Sequence, residues 1–380
     1  MKYRDFGKTG VAISALGFGA MRLPMGGTRT GGNVDIETSV ALMHQAFGLG
    51  VNYVDTAYGY CNGQSEVAVG AALQSWKDSR VYVSTKMPLW LIKSKGDGRK
   101  YLEEQMGRLK IERIDFLHLH GLKLEDWNGR LMECELMQDI EWARSRGLFE
   151  HLSFSSHDAP ENMITLMDTG LFESLLCQYN LLDRRNEPAI DHGHAKGIGV
   201  VVMGPVAGGK LVTSPEVFAS MAPGTQAASS PEIALRFVLS NEKVSCALSG
   251  MSSPQMVAEN AAVCSRSPRL SAEEEEQVRA AFEEKKKLKE LYCTGCKYCM
   301  PCPQGVNIAH CFEAMSYQVI YGNTQQARFQ YGLIGDKWHE GNGADACTAC
   351  GACLEKCPQN IAIPERLAEV HKVLGEGAGG

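Results

Sequence analysis

Asn52-Tyr53-Val54-Asp55-Thr56-Ala57-Tyr58-Gly59-Tyr60 opens as a β-strand over Tyr53–Thr56 and breaks into a loop through Gly59. Runs of the same kind recur along the chain. Ala15–Phe18, Val81–Thr85, Phe116–Leu119, Leu152–Ser155, Leu175–Tyr179, Gly199–Met203 and Ser245–Leu248 are short and strand-like, with helical patterns between most of them. Pro231–Leu239, reading Pro-Glu-Ile-Ala-Leu-Arg-Phe-Val-Leu, is one such helix. Eight strands alternating with helices predict an α/β fold, a (β/α)8 TIM barrel of about 250 residues. It is expected to occupy residues 1–268. Ahead of its first strand, Gly7-Lys8-Thr9-Gly10 predicts a hairpin turn that plugs the barrel bottom.

Such barrels carry their chemistry at the C-terminal ends of the strands. Asp55 ends the second strand, Tyr60 follows in the next loop, Lys86 ends the third strand and His120 the fourth. These four side chains can converge on one mouth. A tyrosine hydroxyl is a poor acid at neutral pH, with a pKa near 10, but a neighbouring ammonium favours the phenolate and lowers it. An aspartate paired to the lysine holds that charge in place. Together they suit delivery of a proton to a carbonyl oxygen as hydride reaches the carbon. Each residue also has a plainer reading: a helix cap, a packed aromatic, a surface ion-pair partner, or His118 in place of His120, since residues two apart on a strand share a face.

Nucleotide-binding signatures are mostly missing. Gly17-Phe-Gly19 lacks the third glycine of a Rossmann turn, and Gly204-Pro-Val-Ala-Gly208-Gly209-Lys210 fails as a P-loop because Leu211 stands where Ser or Thr must hold magnesium. The latter reads as a glycine-rich βα loop, of the sort that holds phosphate in this fold through exposed backbone N–H groups.

The end of the chain carries a second chemistry. Cys293, Cys296, Cys299 and Cys302, then Cys347, Cys350, Cys353 and Cys357, form two four-cysteine runs closed by Pro303 and Pro358. The second is C-x2-C-x2-C-x3-C-P in full; the first is one residue short of it. Eight thiolates so spaced suit two [4Fe-4S] clusters. Zinc prefers pairs of C-x2-C a dozen or more residues apart, and disulfides need an oxidising compartment, whereas Met-Lys-Tyr-Arg-Asp-Phe at the start has no apolar signal core. Thr294, Gly295, Thr348, Ala349, Gly351 and Ala352 are small, letting backbone N–H groups approach cluster sulfurs. Cys61, Cys134, Cys177, Cys246, Cys264 and Cys311 are scattered and read as small buried hydrophobes.

At 380 residues, 44% hydrophobic and net charge −6, the chain suits one large domain and a small one. No apolar run reaches the length of a membrane span, and no Lys/Arg stripe points to nucleic acid. The expected location is cytoplasmic. Ala272–Leu291 reads as a charged helix, so the layout is a barrel over 1–268, a connecting helix over 269–291 and a small α-helical ferredoxin-like domain over 292–380. Gln304–Ala346 carries helical patterns that a minimal ferredoxin lacks.

Asn52–Tyr60, Ser84-Thr-Lys86 and Ile114-Asp-Phe-Leu-His-Leu-His120 together resemble the aldo-keto reductase superfamily over about residues 1–265, and the cysteine tail resembles a two-cluster ferredoxin domain. The resemblance implies Tyr60 as proton donor, Lys86 and Asp55 as its tuning pair and His120 as the group that orients the carbonyl. It also implies a nicotinamide cofactor, NAD(P)H, held by Ser155, by Gly204 to Gly209, and at the adenine by Glu259 and Asn260. Two-cluster ferredoxins exchange their fourth ligands. This implies Cys293, Cys296, Cys299 and Cys357 on one cluster and Cys347, Cys350, Cys353 and Cys302 on the other.

The chain departs from the family at three places. Leu176 replaces the glutamine that binds the carboxamide, with Gln178 expected toward the other face; Met203 replaces a stacking tyrosine; and Ser249–Met256 contains no cation for the 2′-phosphate of NADP. Nicotinamide moves two electrons and each cluster one, so FMN is an alternative occupant of the mouth. The expected partners are a small-molecule substrate and ferredoxin or another electron carrier. Competing expectations are structural or sensory clusters beside an ordinary reductase, and a non-catalytic electron-transfer subunit.

Overall fold

The computed structural model describes residues 1–26, 33–181, 183–206, 229–266, 269–283, 293–321, 324–336 and 339–375. They divide into two compact units, one containing residues up to Val206 and from Pro231 to Ser271, the other from Ala272 onward.

In the first unit, β1 (Tyr3–Asp5) and β2 (Ala12–Ser14) pair antiparallel as the expected hairpin. β3 (Leu16–Gly19) begins the barrel, and β4 (Met25–Gly26) pairs with β5 (Asn33–Val34) beside it. The barrel continues through β6 (Tyr53–Asp55), β7 (Tyr82–Met87), β8 (Ile114–Leu119), β9 (Phe149–Ser156), β10 (Ser174–Gln178), β11 (Gly199–Met203) and β12 (Cys246–Ser249). All eight barrel strands are parallel, and β12 closes on β3. Each predicted strand is present, with ends shifted by a few residues at most.

Helices alternate with the strands and cover them. Ile36–Gly48 starts where Asp35 caps the free N–H of Thr38, at 3.0 Å, and Ser253 caps Pro254–Ser265 in the same way. Glu187–Lys196 stops at Gly197, whose φ of +75° an L side chain rarely adopts.

Successive strand residues point alternately into and out of the barrel. Its lower interior is apolar, built from Phe6, Ile13, Tyr53, Phe116, Leu176, Val201, Cys246 and Leu248. Phe6, from the hairpin, lies with its ring 4.7 Å from that of Phe116 and 5.8 Å from that of Tyr53. The hairpin is thus the plug the sequence suggested. Two residues further along β6 and β8 from Tyr53 and Phe116, the same faces carry Asp55 and His118, so polarity enters the barrel at its C-terminal half.

In the second unit, Ile308–Tyr321, Thr324–Gly332 and Ile363–Val370 are helices around a core that includes Val306, Phe312, Met315, Leu367 and Val370. Cys299, Cys353 and Cys357 are buried in that core. The helical content expected between the cysteine runs is present. A further helix, Ala272–Glu283, is described from the charged stretch; residues 284–291 of that stretch lie outside the described residues. No described helix is long and apolar enough to cross a membrane.

Candidate active site and cluster site

Asp55 ends β6, and Lys86 lies inside β7, one residue before its end. Lys86 Nζ donates to Asp55 Oδ1 at 2.5 Å and to the Thr56 carbonyl at 2.7 Å, while Ser84 Oγ donates to Asp55 Oδ2 at 2.9 Å. Both partners of the ion pair are buried. A charge pair this deep is maintained only when its hydrogen bonds are nearly complete. Ser84 shares a face with Lys86 because the two are two residues apart, and the sequence reading gave it no role.

Tyr60 begins the turn Tyr60–Gly63, and its ring faces Lys86, whose Nζ lies 4.7 Å from the ring centroid. The His120 ring meets that of Tyr60 edge-on at 5.8 Å, and half-exposed Trp90 meets His120 from the other side at 5.1 Å. All four expected side chains therefore gather at one end of the barrel. Trp90 joins them on the rim, with no local signal beyond its place four residues after Lys86.

One electrostatic expectation is reversed. The Tyr60 phenol is pushed well above its ordinary value, first by burial, then by the charge of Asp55 and by Cys61. Burial and Asp55 set this direction, while the hydrogen bonds of Lys86 go to Asp55 and Thr56. Burial raises the Asp55 carboxyl, against the pull of Lys86. His120 is held well below its ordinary value by burial and by Lys86, so it is a neutral imidazole at neutral pH. His118 shares its face, fully buried, and is lowered to about 3, chiefly by burial.

The residues expected to hold a nicotinamide lie around the same mouth. Ser155, on β9, accepts the Gly121 N–H at 2.9 Å. Met203 ends β11 opposite Gln178, the last residue of β10. Gln178 does not turn to the other face: it lies two residues beyond Leu176, which is in the interior, so period-2 alternation places both on one face. Its amide is buried against Gly204, where an added Cβ would stand 2.9 Å from Gln178 Nε2. Gly204 has φ +65° and its carbonyl accepts from Asn180 Nδ2 at 2.9 Å. The missing side chain at Gly204 thus makes room for the Gln178 amide at the strand end. Gly208 and Gly209 lie outside the described residues.

Asn260 is buried, with Nδ2 donating to Ser249 Oγ at 3.1 Å, and Glu259 is exposed, accepting from Gln255 at 2.8 Å. The loop after β12 contains no cation of its own, yet one stands next to it in space. Arg22, in the turn after β3, runs along Gly250, whose added Cβ would lie 3.6 Å from Arg22 Cβ. A contact spanning more than two hundred residues of sequence left no local signal.

In the second unit, Cys293, Cys296, Cys299 and Cys357 line one small pocket, together with Ile308, Phe312 and Ile363. Cys357 is thus beside the first run, not its own. In turn, Cys302 lies within electrostatic range of Cys353, beside Cys347 and Cys350. The Gly295 N–H donates to Cys293 Sγ at 3.4 Å, and Gly295, Lys297, Ala349 and Gly351 all have left-handed φ. Such loops turn backbone N–H groups toward sulfur. Among the described residues no three Cys, His, Asp or Glu side chains converge closely enough for a single metal ion. Cys311 is fully buried and its thiol is pushed up to about 12, so it remains a protonated hydrophobe.

Comparison with known proteins agrees with this geometry. The aldo/keto reductase family profile matches residues 15–283, and a 4Fe-4S dicluster domain matches residues 292–362. An L-galactose dehydrogenase of Arabidopsis thaliana is 26% identical over 76% of this chain and 96% of its own. An NADH-specific methylglyoxal reductase of Escherichia coli is 25% identical, covering 69% and 93%. Among solved structures, the holo form of an aldo-keto reductase from Bacillus halodurans superposes with a TM-score of 0.61 at 26% identity, over 74% of this chain and 96% of that one.

Proposed function

The chain belongs to the aldo/keto reductase family and carries a 4Fe-4S dicluster domain; from that premise we propose that it reduces a carbonyl or related small-molecule substrate. The reading rests on one observation, the convergence of Tyr60, His120 and the buried Lys86–Asp55 pair at the barrel mouth. NAD(P)H bound there supplies the hydride. Ser155, Gln178 and Met203 would hold the nicotinamide, Gly204 would lie near the pyrophosphate, and Glu259 and Asn260 would hold the adenine.

His120, kept neutral, orients the carbonyl oxygen by a hydrogen bond. Tyr60 keeps its proton until the oxygen becomes negative, then donates it. Asp55 holds Lys86 beneath the Tyr60 ring, where its positive charge stabilises the developing phenolate. Arg22 beside Gly250 supplies a cation near the loop that lacks one, so NADH and NADPH both suit the site on charge.

Cys293, Cys296, Cys299 and Cys357 would hold one [4Fe-4S] cluster, and Cys347, Cys350, Cys353 and Cys302 the other, relaying single electrons to or from the barrel site. Ferredoxin or a similar carrier is the proposed partner, in the cytoplasm. FMN is the alternative occupant of the mouth, favoured by the mismatch between one-electron clusters and two-electron hydride. Extraction of protein purified without oxygen separates the two, since it yields either nicotinamide alone or flavin.

Tyr60→Phe tests the catalytic assignment. A positioned proton donor contributes roughly 10²- to 10⁴-fold. Carbonyl reduction should fall by that factor while iron content is unchanged. Undiminished turnover would remove Tyr60 from the mechanism. Paramagnetic resonance after addition of substrate or NAD(P)H tests the relay: clusters that stay silent under both would be structural.

A further inference from the structure

Tyr60 sits at the start of a turn that is conformationally costly. Cys61 and Asn62 follow it with φ of 50° and 56°, the left-handed region that L residues rarely occupy and that persists only where the surroundings over-determine it. Cys61 Sγ reaches the Met21 carbonyl at 3.4 Å, and the segment leading into the turn is fixed from outside the barrel, at Tyr58. The Arg108 guanidinium stacks 4.0 Å from the centroid of the Tyr58 ring and donates from Nη1 to the Tyr58 carbonyl at 3.0 Å. Tyr58 Oη donates to Glu104 Oε2 at 2.7 Å, fixing the far end of the same ring.

From Arg108 the chain of contacts turns inward. Nη1 also reaches Glu66 Oε2 at 3.3 Å. Glu66 Oε1 accepts from Thr85 Oγ1 at 2.6 Å and from Gln105 Nε2 at 2.7 Å, and Gln105 Nε2 is 3.0 Å from the Lys86 carbonyl. Glu66 is fully buried. A buried carboxylate is a poor way to gain stability, since apolar residues of similar volume commonly do as well or better. What this one provides is a fixed geometry between the turn carrying Tyr60 and the strand carrying Lys86. Neither Arg108 nor Glu66 contacts the mouth residues directly, so their effect on chemistry must pass through position.

We propose that Arg108 and Glu66 are positioning residues that set the Tyr60 hydroxyl relative to the Lys86 ammonium. The inference rests on the proposed role of Tyr60 as proton donor. Displacing a reacting group by about 1 Å costs on the order of 10²-fold in rate. Arg108→Met alone leaves Glu66 buried without its cation, which could lower stability and blur the result. The decisive variant is therefore R108M with E66Q, in the full iron-loaded chain. Its melting temperature should recover relative to R108M, because no unpaired charge remains. Its kcat should stay down by roughly 10- to 100-fold with KM for the carbonyl changed little, because the Tyr58 carbonyl has still lost its anchor. Arg108→Lys, a point charge without the planar fork, should fall between the double variant and the wild type.

A double variant whose kcat returns to the wild-type level along with its melting temperature overturns the proposal, as does a loss confined to KM. Tyr60→Phe run in parallel separates the two layers of inference. If that variant keeps full activity, the donor assignment fails; if it is inactive while the double variant is not, only the positioning role fails.

Discussion

Lys86 and His118 are both fully buried beside the barrel mouth, the first with a carboxylate partner in Asp55. An ammonium next to a phenol ordinarily lowers the phenol's pKa, but Lys86 is 2.5 Å from Asp55, and burial decides the sign at Tyr60. His118 is fully buried, and burial together with the Lys86 charge outweighs the Phe154 backbone and lowers its pKa from 6.5 to about 3. The folded protein therefore binds fewer protons at His118 than the unfolded chain between those two values, and stability falls as pH is lowered through that window. From pH 7 to pH 5 the contribution of His118 is about 2 kcal/mol. His157, lowered to about 4, acts in the same direction. His118→Leu should flatten this dependence by about 2 kcal/mol, measured by denaturant unfolding of the iron-loaded protein at both pH values. Equal pH dependence in wild type and variant would show that His118 does not stay neutral in the fold.

At the scale of elements, the barrel is sealed at one end by the β1–β2 hairpin and gathers Asp55, Tyr60, Lys86 and His120 at the other. Phe6 is fully buried, and an added Cβ at Gly199 would come within 2.1 Å of its ring, so a glycine on β11 makes room for the plug. Phe6→Ala should cost about 3–5 kcal/mol, the usual range for an emptied aromatic site. The melting temperature should fall accordingly, while kcat at a temperature where the variant is folded should be preserved, since Lys86 lies near the opposite end of β7 and Tyr60 in the turn beyond the opposite end of β6. A large loss of kcat would mean that the plug also shapes the mouth. The strands were legible because each is a short strand-like run ending in a break, and the four proposed catalytic residues because they stand at or just past those ends. The rest depends on neighbours that sequence does not order: Arg22 beside Gly250, Gly199 beneath Phe6, and Glu66 reached by Arg108 across 42 positions. Gln178 was misplaced for a different reason. The period-2 rule already put it on the face of Leu176, and the register of β10 with β11 shows it there.

For the molecule as a whole, the question is how two chemistries are assigned to two units, and the cysteines give the sharpest test. If each run served its own cluster, losing any of its four thiols would remove the same cluster. The proposed crossed assignment draws on the pocket lined by Cys293, Cys296, Cys299 and Cys357 and on the approach of Cys302 to Cys353. Four serine variants decide between them. Cys357→Ser should match Cys293→Ser, and Cys302→Ser should match Cys347→Ser, in the paramagnetic resonance spectrum of the remaining reduced cluster. Iron should fall from about eight to about four per chain in each case. A Cys357→Ser spectrum that matches Cys347→Ser would refute the crossing. The crossing also has a mechanical consequence. Cys357 immediately precedes Pro358 and the approach to the helix Ile363–Val370, while Cys302 leads into Ile308–Tyr321, and both helices belong to one apolar core. Each cluster would then tie the two halves of that core together, so removal of either one should lower the stability of the whole second unit. A variant retaining about four irons but melting like the wild type would show that the core holds without both ties.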